Sequence, residues 1–465
     1  MTILTSPALA ELPSDLPAVE RRAAIPAGFE AASGIAGIKA SGRPDLAIIA
    51  TLTEPDGKRP RAAAAAVYTP NAFAAAPVRL SKAHLAATDP AGSGRFGWAA
   101  AVISTSGCAN AATGAVGDTD QAAVAGYLAT ALGTPVEETL LLSTGVIGTR
   151  LPLDKVAAGV QAVTPTLAAT DAGLAGAAEA LRTTDTRVKA ATVSLTLPDP
   201  DGLVARSIRV TGIAKGVGMI HPRMATMLSV VLTDATVEPA TLHGLLGPAA
   251  ARTWDQLSVD GDTSTNDTVF VLASGAAGAT PVAAGTREAA DLGRAIEAVA
   301  RDLARQQAAD GEGATTLITC QVSGGSDDAD ARAVARAVIS SSLVKAAVHG
   351  RDPNWGRIAG AVGNAVLADA AVLEAAGFAP SVAAARTGTA ATIDPDRLRI
   401  AIAGHLVFDG SAGGPVAFDR AAARAAMDAP ELLIRLDLGL AEGRGEAFGC
   451  DLTETYVIEN SEYTT

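Results

Sequence analysis

Cysteine is scarce in this sequence of 465 residues: Cys108, Cys320 and Cys450 stand far apart, without CxxC spacing, and an odd count provides no disulfide framework. A reducing, cytoplasmic setting is expected. The five histidines, His84, His221, His243, His349 and His405, are isolated, and no HExxH or paired spacing offers metal ligands. No metal site is expected. Basic clusters are missing as well. With 36 basic against 49 acidic side chains and a formal net charge of −13, the chain is unsuited to a polyanion, so nucleic acid is not an expected partner. The apolar runs are broken by Gly, Pro or charge well short of a membrane span. The opening "MTILTSPALAELPSDLPAVERR" lacks the basic-then-apolar order of a secretion leader. Neither a Rossmann fingerprint, nor a P-loop, nor a GxSxG nucleophile elbow occurs.

What is present is apolar mass. At 49% hydrophobic and 18% charged, the chain can bury a large core and form two or three lobes. Helical periodicity is clearest at 120–132, 287–307, 330–348 and 418–429. Strand candidates are 46–53, 138–145, 191–197, 226–232, 267–273, 315–322, 398–408 and 431–439. The class is α+β. Strands between 191 and 232 follow one another too closely for crossover helices, which predicts antiparallel pairing. The first 25 or so residues read as a loosely held tail.

Two segments invite chemistry. The loop "DGDTSTND" (260–267) is acidic but lacks the terminal Glu of a calcium-binding hand, and a turn driven by Asx and Gly residues accounts for it better. In "KGVGMIHPRMATML" (215–228), Thr226 follows the small Ala225 and precedes an apolar run. Residue type favours a structural role for Thr226 as the start of a strand. The alternative is chemical. Were the Ala225–Thr226 peptide cut, the freed α-amine, with a reference pKa of about 7.7–8.0, could accept the proton of the hydroxyl on the same residue.

The segment "KGVGMIHPRMATML" resembles the self-cleavage site of the ornithine acetyltransferase family, bifunctional glutamate N-acetyltransferases of arginine biosynthesis. The likeness continues through "GIKASGRPDLAII" (37–49), "TSGCANAATGAVGD" (105–118), "LLLSTGVIGTRLP" (140–152), "LRTTDTRVKAA" (181–191), "SVDGDTSTNDTVFVLASG" (258–275), "GEGATTLI" (311–318), "LVKAAVHGRDPNWGRIAGAVGNA" (343–365) and "DLTETYVIENSEYTT" (451–465). Collinear motifs thus cover nearly the whole chain beyond residue 30. Thr105, Cys108, Arg223 and Thr316 depart from the residues usual in that family.

The resemblance implies an αββα sandwich of the kind shared with N-terminal-nucleophile aminopeptidases. It would be self-cleaved into an α chain, 1–225, and a β chain, 226–465, assembled as an α2β2 heterotetramer. It implies Thr226 as nucleophile, Thr144 and Gly145 as the oxyanion hole, and Thr183, Lys215, Thr226, Glu312, Asn460 and Thr465 as substrate contacts. The implied reaction is ping-pong: Thr226 takes acetyl from N-acetylornithine, and glutamate enters the same pocket to accept it. No metal or organic cofactor is needed, with acetyl-CoA a conceivable co-substrate. Three other readings compete: an aminopeptidase or amidase using the same nucleophile with water, an acetyltransferase of secondary metabolism, and a non-catalytic amino-acid-binding protein.

Overall fold

A computed structural model describes residues 9, 15–198, 205–221, 227–278 and 280–461. Ten strands form two stacked sheets. The smaller has the order Phe29–Gly34, Leu46–Thr51, Ala101–Cys108, Thr139–Val146; the larger runs Phe96–Ala99, Ala62–Tyr68, Thr268–Ala273, Leu228–Thr233, Ala205–Lys215, Lys189–Pro198. Their facing surfaces bury Ile49, Val102, Leu140 and Leu142 against Ala64, Ile213, Val230 and Phe270. Because side chains alternate along a strand, the neighbours of these residues point outward. Ile48, Ile103 and Leu141 meet helices Gly114–Leu132 and Leu153–Val163. Val210, Val231 and Val269 meet helices Pro239–Arg252 and Arg287–Ala309. Burial on both faces explains why these strands read as continuous apolar runs. The layering is αββα, as expected.

The larger sheet interleaves the two halves of the sequence. Ala62–Tyr68 pairs antiparallel with Thr268–Ala273, which lies parallel to Leu228–Thr233, and that strand pairs antiparallel with Ala205–Lys215. Neither 1–225 nor 226–465 is therefore a separate lobe. The antiparallel run expected between 191 and 232 is present.

Seven further strands make a second lobe outside the sandwich reading, in the order Leu257–Ser258, Gly443–Cys450, Leu317–Gly325, Glu431–Asp437, Arg399–Ile402, His405–Asp409, Gly414–Pro415. Its core joins Ile318, Cys320, Val334, Val338, Ile400 and Ile434. Leu257, Leu317 and Phe448 continue into the sandwich core, tying the lobes together.

Three expectations need correction. The helix read over 330–348 is two helices, Asp328–Ser340 and Ser342–His349, because the Ser341 hydroxyl caps the Val344 N–H and starts the second. The strand read over 398–408 is a hairpin, Arg399–Ile402 with His405–Asp409, turned at Ala403 and Gly404, which have φ of 48° and 85°. The loosely held tail is secured from Asp15 onward within its described part. Glu20 bridges to Thr192, Arg21 donates to Asp302 at 2.9 Å, and Ala24 is fully buried.

Candidate active site

The strand Thr139–Val146 runs parallel to Ala101–Cys108 until the register shifts at Gly107 and Cys108. Gly145 sits at that irregularity with φ 130°, and a Cβ there would lie 2.3 Å from the Gly107 carbonyl carbon. Only glycine fits, and the strand therefore bends just after Thr144. The Asn266 amide donates to the Ser143 carbonyl at 2.8 Å and to the Ala109 carbonyl at 2.7 Å, holding both flanks of the bend.

Lys215 ends the strand Ala205–Lys215 and is 3% exposed. Its ammonium donates to Thr144 Oγ1 at 3.2 Å. Burial pushes the Lys215 ammonium below its ordinary value, and Asp185 pulls the other way. Asp185 is fully buried, yet Lys189 and Lys215 hold its carboxyl well below the usual range. It accepts from the Gly216 N–H at 2.7 Å, the Thr183 N–H at 3.1 Å and Lys189 Nζ at 2.7 Å. Lys189 also donates to Asp310 at 2.6 Å. This buried Asp185–Lys189–Asp310 triad fixes the backbone at Thr183 and after Lys215 together.

Glu312 faces the same space. It accepts from the Thr184 hydroxyl at 2.8 Å and from the Asn460 amide at 3.0 Å, the latter on the helix Glu454–Ser461. A Cβ at Gly218 would come within 2.2 Å of the Glu312 carboxylate, so a larger residue there would push that side chain from its place. Together Thr144, Gly145, Thr183, Lys215, Glu312 and Asn460 line one cavity of about 280 Å³. Six residues singled out in the sequence thus converge. Ala225, Thr226 and Thr465 lie outside the described residues, as does Arg223. Two larger clefts, of about 790 and 640 Å³, lie elsewhere and contain none of these residues.

Thr184, Asp185, Lys189, Asn266, Asp267 and Asp310 belong to the site or its support and were not singled out in the sequence. For all but Asp310 the signal lay in the segments "RTTDTRVK" and "DGDTSTND", whose polar residues read equally well as helix end and turn; Asp310 stands just before "GEGATTLI", where no local pattern marks it. Of the residues that depart from the family pattern, Thr105 shares a hydrogen bond with Ser143 at 2.9 Å, and Cys108 Sγ donates to the Thr149 carbonyl at 3.2 Å.

The profile of the ArgJ family matches residues 30–465. The chain belongs to that family. The arginine biosynthesis bifunctional protein ArgJ of Deinococcus radiodurans is 41% identical over 440 residues, spanning 95% of this chain and 97% of its own length. Its counterpart in Thermus thermophilus is 40% identical over 441 residues, spanning 95% and 99%. Among solved structures, the bifunctional protein argJ of Bacillus halodurans is 34% identical, covering 49% of this chain and 95% of that one with a TM-score of 0.42. Ornithine acetyltransferase of Mycobacterium tuberculosis, complexed with ornithine, is 36% identical, covering 44% and 98% with a TM-score of 0.36. No helix among the described residues of this ArgJ-family chain is long and apolar enough to cross a membrane.

Proposed function

We propose that this ArgJ-family chain is a self-processing acetyltransferase of arginine biosynthesis, moving acetyl from N-acetylornithine to glutamate through an acetyl-Thr226 intermediate. The observation that carries the reading is the convergence of Thr144, Gly145, Thr183, Lys215, Glu312 and Asn460 on one small cavity. The cavity has one cationic end, Lys215, and one anionic end, Glu312, which suits the carboxylate and ammonium of an amino acid. Both substrates share those groups, so one pocket can serve donor and acceptor in turn.

The chemistry begins with the chain itself. The Thr226 hydroxyl oxygen attacks the Ala225 carbonyl carbon, the C–N bond breaks, and the departing nitrogen takes the proton. Water then hydrolyses the ester, leaving 1–225 and 226–465. The freed α-amine of Thr226 accepts the hydroxyl proton as the same oxygen attacks the acetyl carbonyl of N-acetylornithine. The developing oxyanion is received by the Thr144 hydroxyl and the Gly145 N–H, donors of a kind typically worth about 3–4 kcal/mol each. Ornithine leaves, glutamate enters, and its amine takes the acetyl group. Thr226 is the acyl carrier, so no organic cofactor or metal takes part, and acetyl-CoA is an alternative first donor. The fragments assemble as α2β2, and the enzyme works in the cytoplasm.

The test is acetyl transfer from N-acetylornithine with and without glutamate. Glutamate should accelerate ornithine release and yield N-acetylglutamate. Equal release in its absence would assign the site to a hydrolase. Thr226→Ala should remain one uncut chain without transferase activity, and Thr226→Ser should still process, more slowly.

A further inference from the structure

A second cluster of charge lies away from the catalytic cavity, in the cleft of about 640 Å³ where the sandwich meets the second lobe. Five arginines line it. Arg252 and Arg301 come from the sandwich helices Pro239–Arg252 and Arg287–Ala309, Arg332 from the helix Asp328–Ser340, and Arg435 and Arg444 from the strands Glu431–Asp437 and Gly443–Cys450. Two of them are committed. Arg252 forks onto Glu297, with its Nε at 2.8 Å and its Nη2 at 2.5 Å from the two carboxylate oxygens. Arg301 does the same with Glu446, at 2.6 and 2.8 Å.

The other three guanidiniums are not. Arg435 and Arg444 are exposed, and their side chains have no hydrogen bond or ion pair among the described residues. Arg332 is buried, with 7% exposed, yet its one ion pair among the described residues is with Asp328 at 3.9 Å, too long for a hydrogen bond. Burial pushes its pKa below the ordinary arginine value and Arg252 acts in the same direction, while Asp328, Asp327 and Glu297 pull it back. The carboxylates on the cleft are Asp15, Glu297, Asp328 and Glu446. Asp15 faces Arg294 at 3.5 Å, and Glu297 and Glu446 hold their own arginines, so Asp328 alone is left to answer three cations. In a chain of net charge −13, the cleft thus keeps a local surplus of about two positive charges.

We propose that this cleft is a binding site for a small polyanion, a molecule carrying two or more phosphate or carboxylate charges, which Arg332, Arg435 and Arg444 hold between the two lobes. A guanidinium presents a planar fork matched to such oxyanions, and one with no close protein partner gives up nothing to bind them. Arg332 supplies the enclosed contact, where salt screens charge least, and the exposed pair supplies the mouth. A cleft of about 640 Å³ is of ordinary size for a small-molecule ligand. None of the residues that converge on the catalytic cavity takes part, so the site stands independently of the function proposed above.

The experiment is calorimetric titration of the full chain with pyrophosphate and, separately, with citrate, at constant ionic strength so that screening is the same throughout. Each wild-type chain should take up one ion of at least one kind. Tighter binding of pyrophosphate assigns phosphate esters as the ligand class, and tighter binding of citrate assigns carboxylates. Arg332→Met and Arg435→Gln should each weaken binding tenfold or more. Arg424→Gln, which removes an exposed arginine off the cleft, should leave it within twofold. Melting gives a second readout. Without ligand, Arg332→Met should melt no lower than wild type, because it removes a buried charge that has no close partner; with ligand, it should lose the upward shift that wild type shows. An Arg332→Met variant that binds as wild type does overturns the proposal. If that variant does not fold, Arg435→Gln, at the open mouth, decides in the same way. Wild-type protein that takes up neither ion below about 1 mM also overturns it. So does binding that survives Arg332→Met and is abolished by Lys215→Met, which would place the ion in the catalytic cavity.

Discussion

The Lys215 ammonium donates to Thr144 Oγ1 at 3.2 Å inside a cavity where both residues are buried. An ammonium has only donors, so the threonine oxygen must accept, and its own proton is left to point elsewhere. Lys215 therefore orients the Thr144 hydroxyl as a donor, the role required at an oxyanion, in addition to any contact with substrate carboxylate.

Thr144→Ala and Lys215→Met should each lower kcat, the first by about 10²–10³-fold. If Lys215 acts through Thr144, the double variant should be little worse than the worse single one. Steady-state kinetics of N-acetylornithine turnover provide the cycle. Fully additive losses would separate the two residues, and a Lys215→Met effect confined to KM would leave it as a substrate anchor alone.

Glu312→Gln should raise KM for N-acetylornithine and for glutamate more than it lowers kcat. The amide oxygen can still accept from Asn460 and its NH2 can donate to the Thr184 hydroxyl, but the negative charge that meets a substrate ammonium is removed. A loss of about 1.5–3 kcal/mol in kcat/KM is expected for a charged hydrogen bond. Unchanged kinetics for both amino acids would make Glu312 a bracket for the helix Glu454–Ser461.

Lys189→Met should destabilise the protein by about 3–5 kcal/mol, since it leaves Asp185 and Asp310 buried without their shared cation. Chemical denaturation measures it. Asp185 also holds the Gly216 and Thr183 N–H groups, so activity should fall at temperatures where the variant is still folded.

His84 predicts an acid limit. Its ring nitrogen Nδ1 meets the Thr139 carbonyl at 2.7 Å, at the start of the strand Thr139–Val146, and burial pushes its pKa below the ordinary value. The unfolded ring takes up a proton near pH 6.5 while the folded ring resists. The stability it supports is therefore complete above about pH 6.5 and declines as pH falls towards the lowered folded value. Melting followed from pH 7.5 to 5 should show a decline that His84→Gln reduces. Identical slopes would assign the acid sensitivity to other groups.

Much of the sandwich could be read from the chain because its strands carry local signals. "LAIIAT" and "TVFVLA" are largely apolar and rich in β-branched residues, as suits strands buried on both faces. By contrast, "AAAAAVY" at Ala62–Tyr68 was missed: alanine intrinsically favours helix, and only its pairing with Phe96–Ala99 and Thr268–Ala273 makes it a strand. The candidate residues were named from motifs that also occur in relatives, not from spacing.

By itself the sequence determined the α+β class and the family motifs in which the candidate residues stand. Only tertiary structure decided that Lys215 orients Thr144, that Lys189 joins Asp185 to an Asp310 over a hundred positions away, and that an acidic turn grips Met219 and Met227. Local patterns report what a segment does with its own backbone. Which buried charge finds which partner depends on how separate segments pack, because only enclosure away from water makes such contacts strong when paired and costly when not.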